Sequence, residues 1–271
     1  MKLYLSSLFF LCALWLCSCS VNKAKIDNSL KQYFDEVQSE GCFTMLNNAD
    51  GEVSVYNMSL DTLRIQPGGT FGIVNALIVL HTGVLPDENT FIVPDSASLK
   101  ADSLCNQNMN VKTALSNDCS FFDQALARKI GKDNYKKWID SISYGNRKIG
   151  PAVEAFWFNN QLTISPDEQL GLMKKLYFGQ LPFRKSVQES VAEMLLREDN
   201  SAYKLYYKTG NGVDEKQMPI GWTVGWIVEN RHVYFFSTLV KKTDAKVDAS
   251  ITSLSVTKNI LKHYGFFEGK K

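Results

Sequence analysis

The chain is expected to fold as an α+β protein, and three observations carry that expectation. Strand-like segments lie toward both ends, helix-length segments fill the middle, and a further helix closes the chain. Its 271 residues, 45% of them hydrophobic and 12% aromatic, suffice to bury a sizeable core as one large domain or two intimate subdomains. The net charge of +2 points to no nucleic acid partner and no strongly charged surface. His81, His232 and His263 are far apart and lack metal-ligand spacing, so no metal or other cofactor is expected.

Residues 1–19 read as a targeting segment, with Lys2 as the positive start and Leu3 to Leu16 as the apolar stretch. That stretch is short for a membrane-spanning helix, which needs about 20 residues. Leu16-Cys17-Ser18-Cys19 resembles the bacterial lipoprotein processing box, with leucine at −3 and a small residue at −1. The resemblance implies cleavage before Cys19, lipid on that cysteine, and a protein exported to the cell envelope and held on the membrane, the periplasmic face being expected. An ordinary secretory signal or a short anchor is the alternative. Residues 20–27 would form a tether, leaving 28–271 as the domain. The cysteines of the mature domain are Cys42, Cys105 and Cys119. Export permits a disulfide, an odd number allows at most one intrachain bridge, and the sequence does not choose the pair.

Asp27 to Val37 has helical spacing, with Leu30, Phe34 and Val37 on one side. Gly41–Leu46 and Glu52–Tyr56 read as strands joined by the turn-rich run Asn47 to Gly51. Pro67-Gly68-Gly69-Thr70 opens into Phe71 to His81, which is apolar nearly all round and so reads as a core helix ended by Gly83. Glycine at 72 costs about 1 kcal/mol relative to alanine inside a helix, whereas Gly69 at the helix start is acceptable. Leu85 to Asn110 is loop-rich. Val111 to Ile130 is helical with a break near Ser116 to Asp118, and Asn134 to Ser141 is another short helix. Ser165-Pro166-Asp167-Glu168 is a strong helix start, with serine as cap, proline next and glutamate third. That helix runs to Phe178, and Pro182 to Glu198 reads as one more. Tyr203–Tyr207, Gly221–Glu229 and His232–Val240 are strands, and Ser253 to Tyr264 is the closing helix.

Several short motifs stand in a fixed order along this frame. After Pro67 to Leu77 come Tyr144-Gly145-Asn146, Phe156-Trp157-Phe158, Ile164-Ser165-Pro166, Lys175-Leu176-Tyr177, Lys208-Thr209-Gly210 and Gly221-Trp222-Thr223-Val224-Gly225-Trp226. A lone Lys-Thr-Gly is weak, but together they are specific, and residues 38–267 resemble the class D β-lactamases of the penicillin-binding, transpeptidase-like family. The resemblance implies a central antiparallel sheet flanked by helices, with a helical subdomain. It also implies a site built on Pro-x-Ser-Thr-Phe-Lys, where the serine attacks the lactam carbonyl and the carbamylated lysine is its base.

Gly69 stands at the serine position and Gly72 at the lysine position. Nucleophile and base must lie within hydrogen-bond reach, and glycine offers neither. Thr70 is no obvious replacement, because one residue along a helix rotates a side chain by about 100°. The middle Ser-x-Val motif aligns with Asp118-Cys119-Ser120. Asp118 is read as an ion-pair partner of Lys208 rather than a new base. Cys119 is read as a buried side chain rather than a nucleophile. Trp157 matches the indole that holds the lysine carbamate in the family, and here is expected in the core or beside an emptied pocket. The arginine that holds the drug carboxylate has no counterpart in 250–257, where Ser253 falls nearest. The candidate ligand residues are Lys208, Thr209, Gly210, Tyr144, Asn146, Trp157 and Asp118.

The leading functional expectation is therefore a lipid-anchored, non-catalytic member of the family that binds a cell-wall peptide or a β-lactam-like ligand non-covalently. An active hydrolase using Thr70, Cys119 or Ser120 is one alternative, and an interaction module in an envelope complex is another. A β-lactam sensor is disfavoured, since such receptors need an acylated serine and a spanning partner segment.

Overall fold

The computed structural model describes residues 24–93, 105, 107–117, 119–242 and 248–271, with the side chain of Ser120 excepted. The targeting segment, Cys19, the first part of the tether and Asp118 with its expected ion pair lie outside the described residues.

The chain opens with β1 (Ala24–Ile26), a 3-10 turn (Asn28–Leu30), α1 (Lys31–Asp35), β2 (Glu40–Asn47), β3 (Val53–Tyr56) and α2 (Met58–Asp61). A second 3-10 turn (Gly68–Phe71) runs into α3 (Gly72–Thr82), followed by α4 (Val111–Asn117), α5 (Ser120–Ile130), α6 (Lys132–Ser141), α7 (Pro166–Tyr177) and α8 (Lys185–Met194). The last third is β4 (Leu196–Asp199), β5 (Tyr203–Val213), β6 (Pro219–Glu229), β7 (His232–Lys241) and α9 (Ala249–His263).

All seven strands form one sheet, ordered β1-β3-β2-β7-β6-β5-β4. Every pairing is antiparallel except the edge pair of β1 with β3, so the sheet is mixed. Ala24–Ile26 therefore belongs to the sheet and not to a tether: its backbone pairs with Val53–Val55.

β6 shows why the sheet sits at the centre. Trp222, Val224 and Trp226 pack into the larger core with α3 and α5–α8, while Ile227 joins a second core with α9. Trp222, Val224 and Trp226 alternate along the strand, yet Gly221 and Thr223 on the other face are buried as well. Their small size lets α9 lie on the strand: a Cβ on Gly221 would come within 1.8 Å of the Ala249 carbonyl. The turn Asn230-Arg231 has positive φ at both residues, as a tight two-residue hairpin requires.

Three boundaries differ from those read in the sequence. The segment 182–198 is not one helix, because α8 stops at Met194 and Leu196–Asp199 pairs with β5. The change comes at Leu195, whose carbonyl accepts from the Tyr207 N–H at 2.9 Å and so exchanges helical partners for the sheet. β5 continues past Tyr207 to Val213 because its pairing with β6 runs unbroken to Val213 opposite Pro219. The closing helix starts at Ala249, capped by the Asp248 carboxylate, which accepts from the Ser250 and Ile251 N–H groups.

α3 is the buried axis of the larger core, with Gly72 through Leu80 all buried. α7 begins with the capping box expected of Ser165 and Glu168. No described helix is long and apolar enough to cross a membrane.

Candidate functional site

The turn at Gly68–Phe71 and strand β5 meet backbone to backbone. Gly68 has φ +52°, and a Cβ there would fall 2.1 Å from the Asn211 carbonyl oxygen. A Cβ on Gly210 would lie 2.5 Å from the Thr70 nitrogen. Glycine is thus imposed at 68 and 210 by the approach of the two segments.

Gly72 is a different case. A Cβ there would meet the Leu115 Cδ1 at 3.3 Å, an Asp123 carboxylate oxygen at 3.6 Å and the Lys208 Cε at 3.8 Å. These are tight-to-ordinary contacts, so nothing in the backbone demands glycine. The space beside Gly72 is occupied by these neighbours, among them the Asp123 carboxylate. The other Asp123 oxygen accepts from Asn75 Nδ2 at 2.9 Å, and Asn75 Oδ1 accepts from the Tyr135 hydroxyl at 2.6 Å. Asn75 is fully buried on α3, and this relay satisfies it. Burial, with the Asp123 charge nearby, pushes the Tyr135 hydroxyl pKa well up, so it stays a donor.

Lys208 lies on β5 opposite Val224 of β6 and is only 2% exposed. Its ammonium donates to the Thr209 carbonyl at 2.6 Å. Thr70 is 1% exposed, and its hydroxyl is engaged on both sides: it donates to the Pro67 carbonyl and accepts from Gln169 Nε2, each at 2.7 Å. A hydroxyl held in this way is a structural tie, not a poised nucleophile. Cys119 is bonded to Cys105, with Cα atoms 5.6 Å apart, which leaves Cys42 as the free, buried thiol among the described residues. Burial pushes that thiol's pKa well up.

Trp157 is fully buried and stacks on Phe71 with ring centroids 5.2 Å apart, and its indole nitrogen has no hydrogen-bond partner. Tyr144 packs edge-on against Phe71. Its buried hydroxyl lies by Thr70 and Gln169, out of hydrogen-bonding geometry with either, and burial drives its pKa far above the usual phenol value. Asn146 serves the loop: its amide donates to the Gln161 carbonyl at 2.8 Å, and its oxygen accepts from the Lys148 and Thr163 N–H groups. Ser253 is buried against the sheet, sharing a 2.7 Å hydrogen bond with Thr223, so it offers no group to a ligand carboxylate.

Lys208, Thr209, Gly210, Gly69 and Gly72 therefore come together where β5 meets α3. Trp157 and Tyr144 stand behind them on Phe71, and Asn146 belongs to a supporting loop. The sequence reading passed over Asn75, Asp123, Tyr135 and Gln169. A signal was present for the first two, since Asn75 interrupts an apolar helix and Asp123 follows Phe121-Phe122. A polar side chain in such a setting needs a buried partner.

This arrangement can be set against known proteins. The model of the penicillin binding protein transpeptidase domain matches residues 41–262. The chain belongs to that family. Within the family it is class D β-lactamase-like. A probable β-lactamase of Bacillus subtilis (strain 168), YbxI, is 33% identical over 246 residues, which are 91% of this chain and 86% of that protein. A class D β-lactamase YbXI from Nostoc superposes with a TM-score of 0.84 at 28% identity, covering 89% of this chain and all (100%) of the other. The C-terminal domain of the Bacillus licheniformis BlaR penicillin receptor gives a TM-score of 0.85 at 25% identity, covering 91% of this chain and 98% of that domain. This transpeptidase-family chain corresponds to only 37% of the full-length regulatory protein BlaR1 from the same organism.

Proposed function

We propose that this member of the penicillin-binding family is a lipid-anchored envelope protein that does not turn over β-lactams and binds a cell-wall peptide non-covalently along β5. The observation that carries the reading is the pair Gly69 and Gly72 at the head of an otherwise intact α3, beside a complete Lys208-Thr209-Gly210 strand. Acyl transfer needs a nucleophile with a base in reach, and the neighbouring candidates have other engagements: Thr70 in two hydrogen bonds and Cys119 in a disulfide. Beyond its pairing with β4 at Lys204–Tyr206, an extended peptide would add to β5 by main-chain hydrogen bonds near Thr209, since farther along the Asn211 carbonyl is covered by Gly68 and the Val213 N–H is taken by Gln66 Oε1 at 2.9 Å. Lys208 and Thr209 supply the polar groups for a peptide carboxylate.

The test is the intact mass of the full chain after incubation with a reactive penicillin, together with an assay of drug turnover. The expected result is an unchanged mass and no turnover. A stable adduct would overturn the reading, and peptide mapping would then name the nucleophile, with Ser120 the first place to look. Restoring the two family residues alone is expected to leave the protein inert. In a Gly69→Ser/Gly72→Lys variant the new ammonium meets the Asp123 carboxylate, which holds it charged and unfit as a base.

A further inference from the structure

We propose that α2 is a proton-latched cover over Cys42, seated on β2 and α7 while the Asp61 carboxyl is neutral and released as that carboxyl ionises. α2 packs against β2, β3 and α7. Its Leu60 shares the larger core with Cys42, the buried free thiol of β2. The inference does not rest on the reading of β5 as a peptide site.

The cover is short and pinned at both ends. α2 is four residues long and buries Leu60 and Asp61, while Met58 and Leu63 stay 36% and 50% exposed. At its start Asn57 has φ +59°, and its Nδ2 donates to the Gly41 carbonyl at 2.9 Å, next to Cys42. At the far end Arg64 Nε donates to a Glu168 carboxylate oxygen at 2.9 Å. Ile65 then exchanges backbone hydrogen bonds with Ile164 at 3.0 and 2.8 Å. Between these pins the hydrogen bonds of residues 58–63 stay within the segment 57–63. Seating of the middle therefore depends on its two buried side chains.

One of those side chains is an acid in the wrong place to be charged. Asp61 is 3% exposed, and its Oδ1 has no hydrogen-bond partner. A buried carboxylate needs a cation or several donors. The elements around it bring acids instead. α7 contributes Asp167, whose charge opposes that of Asp61, and Glu168, which Arg64 already holds. β2 contributes Cys42 and, farther along, Glu40, and β3 contributes Tyr56. Burial, with the Asp167 charge second, lifts the Asp61 pKa from 3.8 to about 7. Burial, with the Asp61 charge second, pushes the Cys42 thiol well up. Once released, the Asp61 carboxyl meets water and returns toward its ordinary value. The seated form thus keeps a proton that the released form gives up, so release gains as pH climbs from about 4 to about 7 and levels off above. Burial of one leucine does not offset an unpaired buried charge. The ties at Arg64 and Ile65 end the release before the Gly68–Phe71 turn.

The experiment follows N-ethylmaleimide labelling of Cys42 in the full chain by peptide-resolved mass spectrometry between pH 5 and pH 8. Each rate is divided by that of glutathione at the same pH, which removes the pH dependence of the thiolate itself. The expected ratio climbs by roughly tenfold or more from pH 5 to pH 7 and flattens above, as linkage to one carboxyl requires. Asp61→Asn keeps the size of the side chain but cannot ionise, so its ratio should stay nearly flat. Leu60→Ala loosens the seat and should raise the ratio already at pH 5. About 1 M urea should barely change the parent's ratio, because so short a segment exposes little surface on release. Three outcomes would overturn the proposal: a parent ratio that is flat, including no labelling of Cys42 at pH 8; the same climb in Asp61→Asn; or a steep rise with urea, which would assign the labelling to global unfolding. A penicillin adduct in the mass experiment would leave this proposal standing, which separates its failure from that of the proposed function.

Discussion

The two faces of the sheet treat buried polar groups in opposite ways. On the α9 side they are paired. Thr223 shares a hydrogen bond with Ser253, Thr238 shares one with Thr257, each at 2.7 Å, and the buried Glu229 carboxylate accepts from the backbone N–H groups of Phe267, Lys270 and Lys271. On the α3 side, the Trp157 and Trp226 indole nitrogens, the Tyr144 hydroxyl and one oxygen each of Gln169 and Asp61 are buried without partners. The α9 face is built for stability. The α3 face keeps buried polar atoms without a hydrogen-bond partner among the described residues.

This contrast can be broken at four places. The largest effect is expected at Glu229→Ala, which strands three backbone donors at once; the loss should be roughly 3–5 kcal/mol, read by denaturant unfolding. A loss under about 1 kcal/mol would mean that the α9 face is not the stable half. Next is the disulfide, the covalent tie on the α3 side. It closes a separation of 14 residues, so Cys105→Ser/Cys119→Ser should cost about 3 kcal/mol by the chain-entropy estimate, measured with both proteins fully oxidised beforehand.

Asp61 should act in the opposite direction. Burial, with the Asp167 charge beside it, raises its pKa from 3.8 to about 7. In the folded protein it stays protonated at pH 5, while in the unfolded chain it has already ionised. Relative to an ordinary carboxylate, stability therefore falls as pH rises from about 4 to about 7 and levels off above that. Asp61→Asn should stabilise the protein at pH 8 by an amount on the order of 2 kcal/mol and much less at pH 4.5. Equal thermal shifts at the two pH values would show that the carboxyl is not ionising in place. The smallest effect is expected at Trp157→Phe. It deletes an indole N–H that makes no hydrogen bond and keeps an aromatic ring on Phe71, so the change should stay within about 1.5 kcal/mol. A much larger loss would reveal a partner for that nitrogen.

The same contrast explains what the sequence disclosed. Order and type of element were readable wherever local chemistry decided them: the capping box at Ser165, the apolar run of α3, the turn-rich run from Asn47 to Gly51 between β2 and β3. The motifs also placed Gly69, Gly72 and Lys208 in one region. What escaped was set by partners distant in the chain. Leu196–Asp199 reads as helix until β5 is available to pair with it, and Ala24–Ile26 reads as a tether until β3 is. The choice of Cys105 as the partner of Cys119 depends on how the chain between them returns. Asp123 beside Gly72 was hidden for the same reason, since only the packing of α5 against α3 brings its carboxylate there.

The edge strand β1 bears on solubility. Among the described residues, β1 covers the edge of β3 with Ala24–Ile26, all of them exposed, and Lys25 lies opposite Ser54. An edge strand that carries an exposed lysine is a poor template for a further strand. Losing it would uncover the backbone donors and acceptors of Val53–Val55. Trimming the chain past Ile26 therefore invites intermolecular strand addition and aggregation from a domain whose two cores are otherwise untouched.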